Sequence, residues 1–265
     1  MLQLNVFPGG VKRVVTFSYD DGPAQDAWLC DLFRREGVKG TFHLNADRYR
    51  GLDEAGRAVL RTRYEGMEIA CHTVSHGWPT RMPAESLLRQ VWEDRQAAEA
   101  LAGYPVRGMS YPSGDYDPRV EDVLRACGIV YSRTVRAAGD FALPEDFLAW
   151  HPTAHHRDAQ KPAEKFMQSL DSEWSRPLLY IWGHGHELRT EEDFAAMEKL
   201  VKTVSGDSRI WYATNIEIVD YLAAAGQLIV SADERILHNP TATDVWVERD
   251  KTERIRVPAG ETVRL

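Results

Sequence analysis

The chain has 265 residues, 43% of them hydrophobic and 27% charged, which is ordinary for a globular protein and enough for one large α/β domain or two small ones. A formal net charge of −8 argues against a nucleic-acid backbone or an anionic membrane surface as the main partner, since both select for a basic face; a neutral or cationic small substrate fits better. No apolar run reaches the length of a membrane span, and residues 1–13 lack the basic start and apolar stretch of a secretory signal, so a cytoplasmic location is expected.

In chain order, Val14 to Tyr19 is an apolar, β-branched run that stops at Asp20-Asp21-Gly22-Pro23 and reads as a buried strand delivering two acids to its carboxyl end. Neighbouring carboxylates repel, so such a strand end asks for a cation or a proton. From Ala24 to Glu36 the apolar positions Trp28, Leu29, Leu32 and Phe33 have helical spacing, and Gly37 closes the helix. A short strand follows from Gly40 to Asn45, then a helix from Asp53 to Arg63. A third strand, Met67 to Cys71, ends on His72-Thr73-Val74-Ser75-His76. Ala84 to Ala102 is predicted as a longer helix with Leu87, Leu88, Val91, Trp92, Ala98 and Leu101 on its inner side. Arg107 to Tyr111 reads as a strand running into Pro112-Ser113-Gly114-Asp115, followed by a helix from Asp117 to Ala126 and strands at Ile129 to Ser132 and Phe147 to Trp150. After His151-Pro152-Thr153-Ala154-His155-His156 come a helix from Ala163 to Leu170 and a strong apolar strand, Pro177 to Trp182, ending in Gly183-His184-Gly185-His186-Glu187. A helix from Glu191 to Val204, a strand from Ile210 to Ala213 and a helix from Asn215 to Ala225 complete the series.

Seven or eight β-α units within about 225 residues imply a parallel sheet closed into a distorted (β/α) barrel, whose chemistry sits at the carboxyl ends of the strands. From Gln227 the pattern changes to short strands in hairpins. The expected organisation is therefore a barrel over residues 1–226 and a small β extension over 227–265 packed on it. Cys30, Cys71 and Cys127 are odd in number and lack metal-type spacing, so they read as buried small residues.

Asp20, Asp21, His72, His76, Ser113 and His184 all fall at strand ends. Two histidines four apart face one side of a helical turn, and with one carboxylate they supply three ligands, the number used by catalytic zinc sites that keep a position open for water. One aspartate would bind the ion while its neighbour takes a proton from the water that the ion acidifies, which is the chemistry of amide or ester hydrolysis.

These residues resemble the motifs of the polysaccharide deacetylases of carbohydrate esterase family 4, which share the NodB homology domain; the likeness covers roughly residues 12–225. The family's Thr-Phe-Asp-Asp-Gly motif is matched by Tyr19-Asp20-Asp21-Gly22, which implies that Asp20 is the catalytic base and Asp21 a metal ligand. Its His-Ser/Thr-x-x-His motif is matched by His72-Thr73-x-x-His76, implying the other two ligands. Ile181-Trp182-Gly183-His184 resembles the motif that carries the general acid, which implies that role for His184, assigned over His186 on spacing. The resemblance implies a divalent metal, zinc first with Co2+, Ni2+ or Mn2+ as alternatives, and a substrate bearing an N-acetylated amino sugar. Two motifs depart from the pattern. Arg-x-Pro-Tyr-Gly, whose Arg orients the base, is replaced by Ser110-Tyr111-Pro112-Ser113-Gly114, leaving either Arg107 or Arg133 to substitute or Asp20 with a different pKa; the resemblance implies that the Ser113 backbone N–H helps hold the oxyanion. The Asp-x-x-Asp-Trp motif is absent. Trp150 is its candidate Trp, forming an apolar wall beside the acetyl methyl, with His151 or His155 adding polarity, and Trp182 is a candidate stacking surface for a sugar.

His43 and His238 read as structural histidines and Trp92, Trp174 and Trp211 as core, while Glu187 and Asp115 are candidate hydroxyl binders. One rival keeps the site but changes the substrate to a small cyclic amide or ureide, which the lost Arg together with the expected cytoplasmic location favours. A degenerate sugar-binding protein and a two-histidine, one-carboxylate iron oxygenase are the others. The first conflicts with the intact Asp and His set, the second with the β-α alternation.

Overall fold

A computed structural model describes residues 1–172 and 177–265, so Trp174 lies outside the described residues. The chain is built around strand β2, Arg13–Asp20, all eight residues of which are buried. It is flanked in parallel by β3 (Gly40–Leu44) and β8 (Leu178–His184). Outward from β3 follow β4 (Glu68–Cys71), β5 (Gly108–Ser110) and β6 (Tyr131–Arg133); outward from β8 lies β7 (Ala154–His155). A further strand, β9 (Ile210–Tyr212), pairs with the first residues of β2. This is the expected distorted (β/α) barrel. Its two edges meet through an irregular segment: Trp150 bridges Arg133 in parallel, and the Thr153 N–H donates to the Tyr180 carbonyl at 2.8 Å.

The strand expected at Phe147 to Trp150 is instead a 3-10 turn, Phe147–Ala149, because the Asp146 side chain accepts the Leu148 N–H and starts a turn; only Trp150 keeps a strand-like bridge. The helices α1 (Asp26–Glu36), α2 (Glu54–Arg63), α3 (Ala84–Ala102), α4 (Pro118–Ala126), α5 (Gln160–Gln168), α6 (Glu191–Val204) and α7 (Asn215–Ala225) lie where the periodicity put them, within a few residues at their ends. Asp53, Asp117, Thr190 and Thr214 cap α2, α4, α6 and α7 with side-chain oxygens, and Gly37 ends α1 in the left-handed region at φ 68°. The inner face of α3 differs from expectation. Leu87, Val91, Ala98 and Leu101 are buried, whereas Leu88 and Trp92 are exposed, the next positions round the helix.

The two-residue period of the strands sorts the interior. On β2, Val15, Phe17 and Tyr19 join the main apolar cluster with helical residues such as Leu29, Phe33, Val91 and Leu124. Val14, Thr16, Ser18 and Asp20 alternate with them on the opposite face of the strand. That inner face is polar. Glu68 accepts from Tyr131 at 2.6 Å, from Thr41 at 2.9 Å and from the Ile216 N–H at 2.9 Å, and Thr16 donates to Asn215.

At the carboxyl end of the chain, β10 (Ile229–Val230), β11 (Ile236–His238) and β14 (Thr262–Arg264) form one small antiparallel sheet. In the other, β12 (Val245–Arg249) and β13 (Glu253–Val257) are joined by the amino-terminal β1 (Leu2–Gln3). Val245 packs on Ala224 and Ala225 of α7, and the Trp246 N–H donates to the Tyr221 hydroxyl, so these strands rest on the barrel. The three cysteines are buried and free, and no helix among the described residues is long and apolar enough to cross a membrane.

Candidate active site

β2 ends by turning Asp20 inward, where it is 2% exposed, and its neighbour Asp21 into a left-handed conformation at φ 74°. That conformation costs a non-glycine residue free energy and directs the two carboxylates differently. Burial alone would push the Asp20 pKa up, but Arg133, then His72 and His43, outweigh it and hold the carboxyl well below the usual range. Arg133 Nη2 pairs with Asp20 Oδ2, and its Nε donates to Ser18 Oγ at 3.1 Å. The Ser110 hydroxyl donates to Asp20 Oδ1 at 2.9 Å. Ser110 and Arg133 are register partners on adjacent parallel strands, so the guanidinium reaches the base from one strand further along. Arg107, the other candidate, pairs with Asp220.

His72 and His76 come together with ring centroids 4.8 Å apart, but not on a helical turn. The segment after β4 is a loop with Thr73 at φ 62° and His76 at φ 55°. Side chains tie it down. Asn45 donates to the His72 and Thr73 carbonyls at 2.6 and 3.1 Å, and the buried Asp94 of α3 accepts the His72 and Ala46 N–H groups, each at 2.8 Å. Asp94 was missed in the sequence; a carboxylate on the buried side of an apolar helix was the available signal.

Asp21, His72 and His76 each offer a ligand atom, all within 4.8 Å of one another. His72 Nδ1 lies 2.9 Å from the Ser110 carbonyl, which fixes the proton on Nδ1. Its Nε2 is then a bare lone pair, buried, without a hydrogen-bond partner and 3.7 Å from Asp21 Oδ1; His76 Nε2 lies at the same distance from that oxygen. Two imidazoles and one carboxylate in this state fit a divalent cation such as zinc.

His184, at the end of β8, is the register partner of Asp20 and points Nε2 toward its Oδ2 at 4.0 Å. His186 Nδ1 lies 3.8 Å from Asp21 Oδ2. His43, read as structural, is also a register partner of Asp20, with Nδ1 3.4 Å from Oδ1. Trp182 lies under the site instead of at its mouth: it is 7% exposed, and the Arg133 guanidinium stacks on it at 4.3 Å. Trp150 is a core residue, 1% exposed and packed edge-on against Tyr131, Phe147 and Tyr180, so it forms no open wall. Ser113 is exposed in the loop after β5 in a left-handed conformation at φ 57°. Asp115 accepts from the Thr80 hydroxyl and N–H, an occupation with loop structure instead of a sugar hydroxyl. Of the other structural histidines and tryptophans, His238 meets Thr262 at 3.0 Å and Trp211 packs on the second apolar cluster.

Residues 9–132 match the family model for polysaccharide deacetylase, a span that takes in Asp20, Asp21, His72, His76 and Ser110 and stops before Arg133 and His184. A chitin deacetylase of Pestalotiopsis is 31% identical over 94 residues, 35% of this chain and 32% of that protein, so the chain spans about a third of that relative's length. Among solved structures, a candidate polysaccharide deacetylase of Mycobacterium smegmatis superposes with a TM-score of 0.63 at 16% identity, over 85% of this chain and 96% of that one. A family 4 carbohydrate esterase of Streptomyces lividans, in complex with acetate, gives 0.52 at 16% identity over 76% and 91%. A family 4 pseudoenzyme of Bacillus anthracis gives 0.51 at 13% identity over 72% and 60%, so the shared fold alone does not decide activity.

Proposed function

We propose that this chain, whose residues 9–132 match the family model for polysaccharide deacetylase, is a metal-dependent hydrolase that removes an N-acetyl group from an amino sugar. The observation that carries the reading is the convergence of Asp21, His72 and His76 beside an Asp20 kept ionised by Arg133. In this reading Asp21, His72 and His76 hold the ion. Zinc suits the mixed nitrogen and oxygen set, with Co2+, Ni2+ or Mn2+ as alternatives. Such an ion acidifies a water and polarises a carbonyl.

The chain's own groups do the rest. Asp20 takes a proton at Oδ2, the oxygen that faces both His72 Nε2 at 3.8 Å and His184 Nε2 at 4.0 Å. His184 gives a proton from Nε2 to the departing amine nitrogen. Trp182, stacked under Arg133, keeps water from the back of the Asp20 pair and so keeps that pair strong. The cyclic-amide reading drew on a missing arginine together with an expected cytoplasmic location, and the pairing of Arg133 with Asp20 weakens the first of these supports. An amino-sugar substrate is favoured by the chitin deacetylase likeness.

Acetate release from N-acetylglucosamine oligomers and peptidoglycan fragments, alongside ring opening of cyclic amides and ureides, tests the reading. Acetate is expected from at least one sugar, with kcat lowered on the order of a hundredfold or more in Asp20→Asn. Turnover of a cyclic amide with no acetate from any sugar would replace the substrate and keep the site.

A further inference from the structure

Beside the site lies a second cluster that the proposed reaction leaves unused: His155 and His156 at β7 and Glu187 in the turn after β8. Glu187 Oε2 receives three donors, His155 Nε2 at 2.9 Å, His156 Nε2 at 3.1 Å and the His184 N–H at 3.4 Å. Its other oxygen, Oε1, faces His184 Nδ1 at 3.7 Å, with Arg157 at 3.9 Å. That His184 Nδ1 is buried and lacks a hydrogen-bond partner, so Glu187 Oε1 is the acceptor placed to receive it once the ring settles on substrate.

Two imidazoles and a carboxylate also have the makings of a second cation site. The outer ring nitrogens argue otherwise. His155 Nδ1 accepts the Arg157 N–H at 3.4 Å, which puts the His155 proton on Nε2, the atom an ion would need. His156 Nδ1 lies 3.2 Å from the Tyr19 hydroxyl, a better acceptor for that O–H than the Met197 thioether at 3.1 Å. Both rings therefore present Nε2–H to Glu187. Gly183 makes room for this, since a Cβ there would fall inside the His156 ring.

We infer that Glu187, clamped by His155 and His156, is a positioning residue that holds the His184 ring through Nδ1 and so aims Nε2 into the site. The inference rests on His184 acting as the acid of the proposed deacetylation. The charged and titratable groups that face His184 are Asp20 and Asp21 at the end of β2, Glu187 and His186 from its own turn, and His155 from β7. Burial would lower the His184 pKa, but Glu187 and Asp20 outweigh it and hold it above the ordinary histidine value. Donation from the three histidines holds Glu187 far below the usual carboxylate range against its own burial.

The test is nitrogen NMR of the imidazoles in the zinc-loaded full chain, for wild type, Glu187→Gln and His155→Gln, with kcat/KM against pH on any sugar that is turned over. His155 and His156 are expected as Nε2–H tautomers. Loss of the charge in Glu187→Gln should bring the His184 midpoint down by about one pH unit, a tenfold change, and carry the basic limb of kcat/KM with it. His155→Gln, which keeps the charge and a donor, should move both less. An unmoved His184 midpoint in Glu187→Gln, or Nδ1–H tautomers with a second zinc lost in His155→Gln, would overturn the inference. A shifted midpoint in a protein that releases no acetate would sink the deacetylase reading and leave the clamp standing.

Discussion

Asp20 carries its charge almost without water, and Arg133 is what makes that tolerable. Removing one partner of a buried pair strands the other, at a cost of about 3–5 kcal/mol. Arg133→Met should therefore lower thermal stability and let burial push the Asp20 pKa upward. The sign follows from the native state. The folded Asp20 pKa is depressed, so its stabilising contribution is present above the ordinary aspartate value and lost as pH falls from there through the folded value. Without Arg133 that contribution goes, and the acid limb of kcat/KM should move up toward neutrality; a limb that stays in place would mean Arg133 does not tune the base. Arg133→Lys should recover only part, because one ammonium cannot reach Asp20, Ser18 and the Thr134 carbonyl together. The acids and histidines of this site were legible because each ends a strand. The arginine was not, because its place is fixed by the register between β5 and β6 and not by its distance along the chain from Ser110.

The loop after β4 illustrates how an element can deliver the expected residues by an unexpected route. Spacing of four suggested a helical turn, yet two left-handed residues and the Asp94 and Asn45 anchors bring His72 and His76 together. A period of four is shared by helices and by some tight loops, so only the anchors decide, and they lie 22 and 27 residues away. Asp94→Asn replaces one of two accepting oxygens with a donor and leaves a backbone N–H unmatched. Zinc affinity should fall about 10- to 100-fold, the usual cost of losing an outer support, as read by competition with a chromogenic chelator; unchanged affinity would show that the loop holds itself. On β8, Gly183→Ala should expel the His156 ring and cost about 1–3 kcal/mol in urea unfolding, whereas Gly66→Ala, with open space around it, carries only the backbone strain of its φ of 79°. Helices and strands were legible from apolar periodicity. The 3-10 turn at Phe147–Ala149 was not, because an apolar four-residue run fits strand and turn alike until the Asp146 cap is seen.

Across the whole molecule, the polar inner face of the barrel makes stability depend on pH. Burial raises the Glu68 carboxyl to about 7 from an ordinary glutamate value of 4.5, while its hydrogen-bond partners are two hydroxyls and a backbone N–H. A raised carboxyl binds its proton more tightly when folded, so its contribution is complete below pH 4.5 and lost as pH rises through about 7. Integrated over that window it amounts to about 3 kcal/mol. Glu68→Gln keeps the shape and both kinds of contact, so the melting temperature of the variant should exceed that of wild type above neutrality and show a weaker decline between the two values; identical slopes would contradict this. The same inner face, four residues further toward the carboxyl end from Thr16, Glu68 and Tyr180, presents Asp20, His72 and His184, and there the central claim is that Asp21, His72 and His76 hold a catalytic ion that Asp20 does not bind. Metal content by mass spectrometry with acetate release, for wild type, His76→Ala and Asp20→Asn, tests it most directly. About one divalent ion per chain in wild type and in Asp20→Asn, its loss in His76→Ala, and acetate release by wild type alone is the predicted result. Acetate release that persists when the ion is gone, or an ion that leaves with Asp20→Asn and stays with His76→Ala, would contradict it.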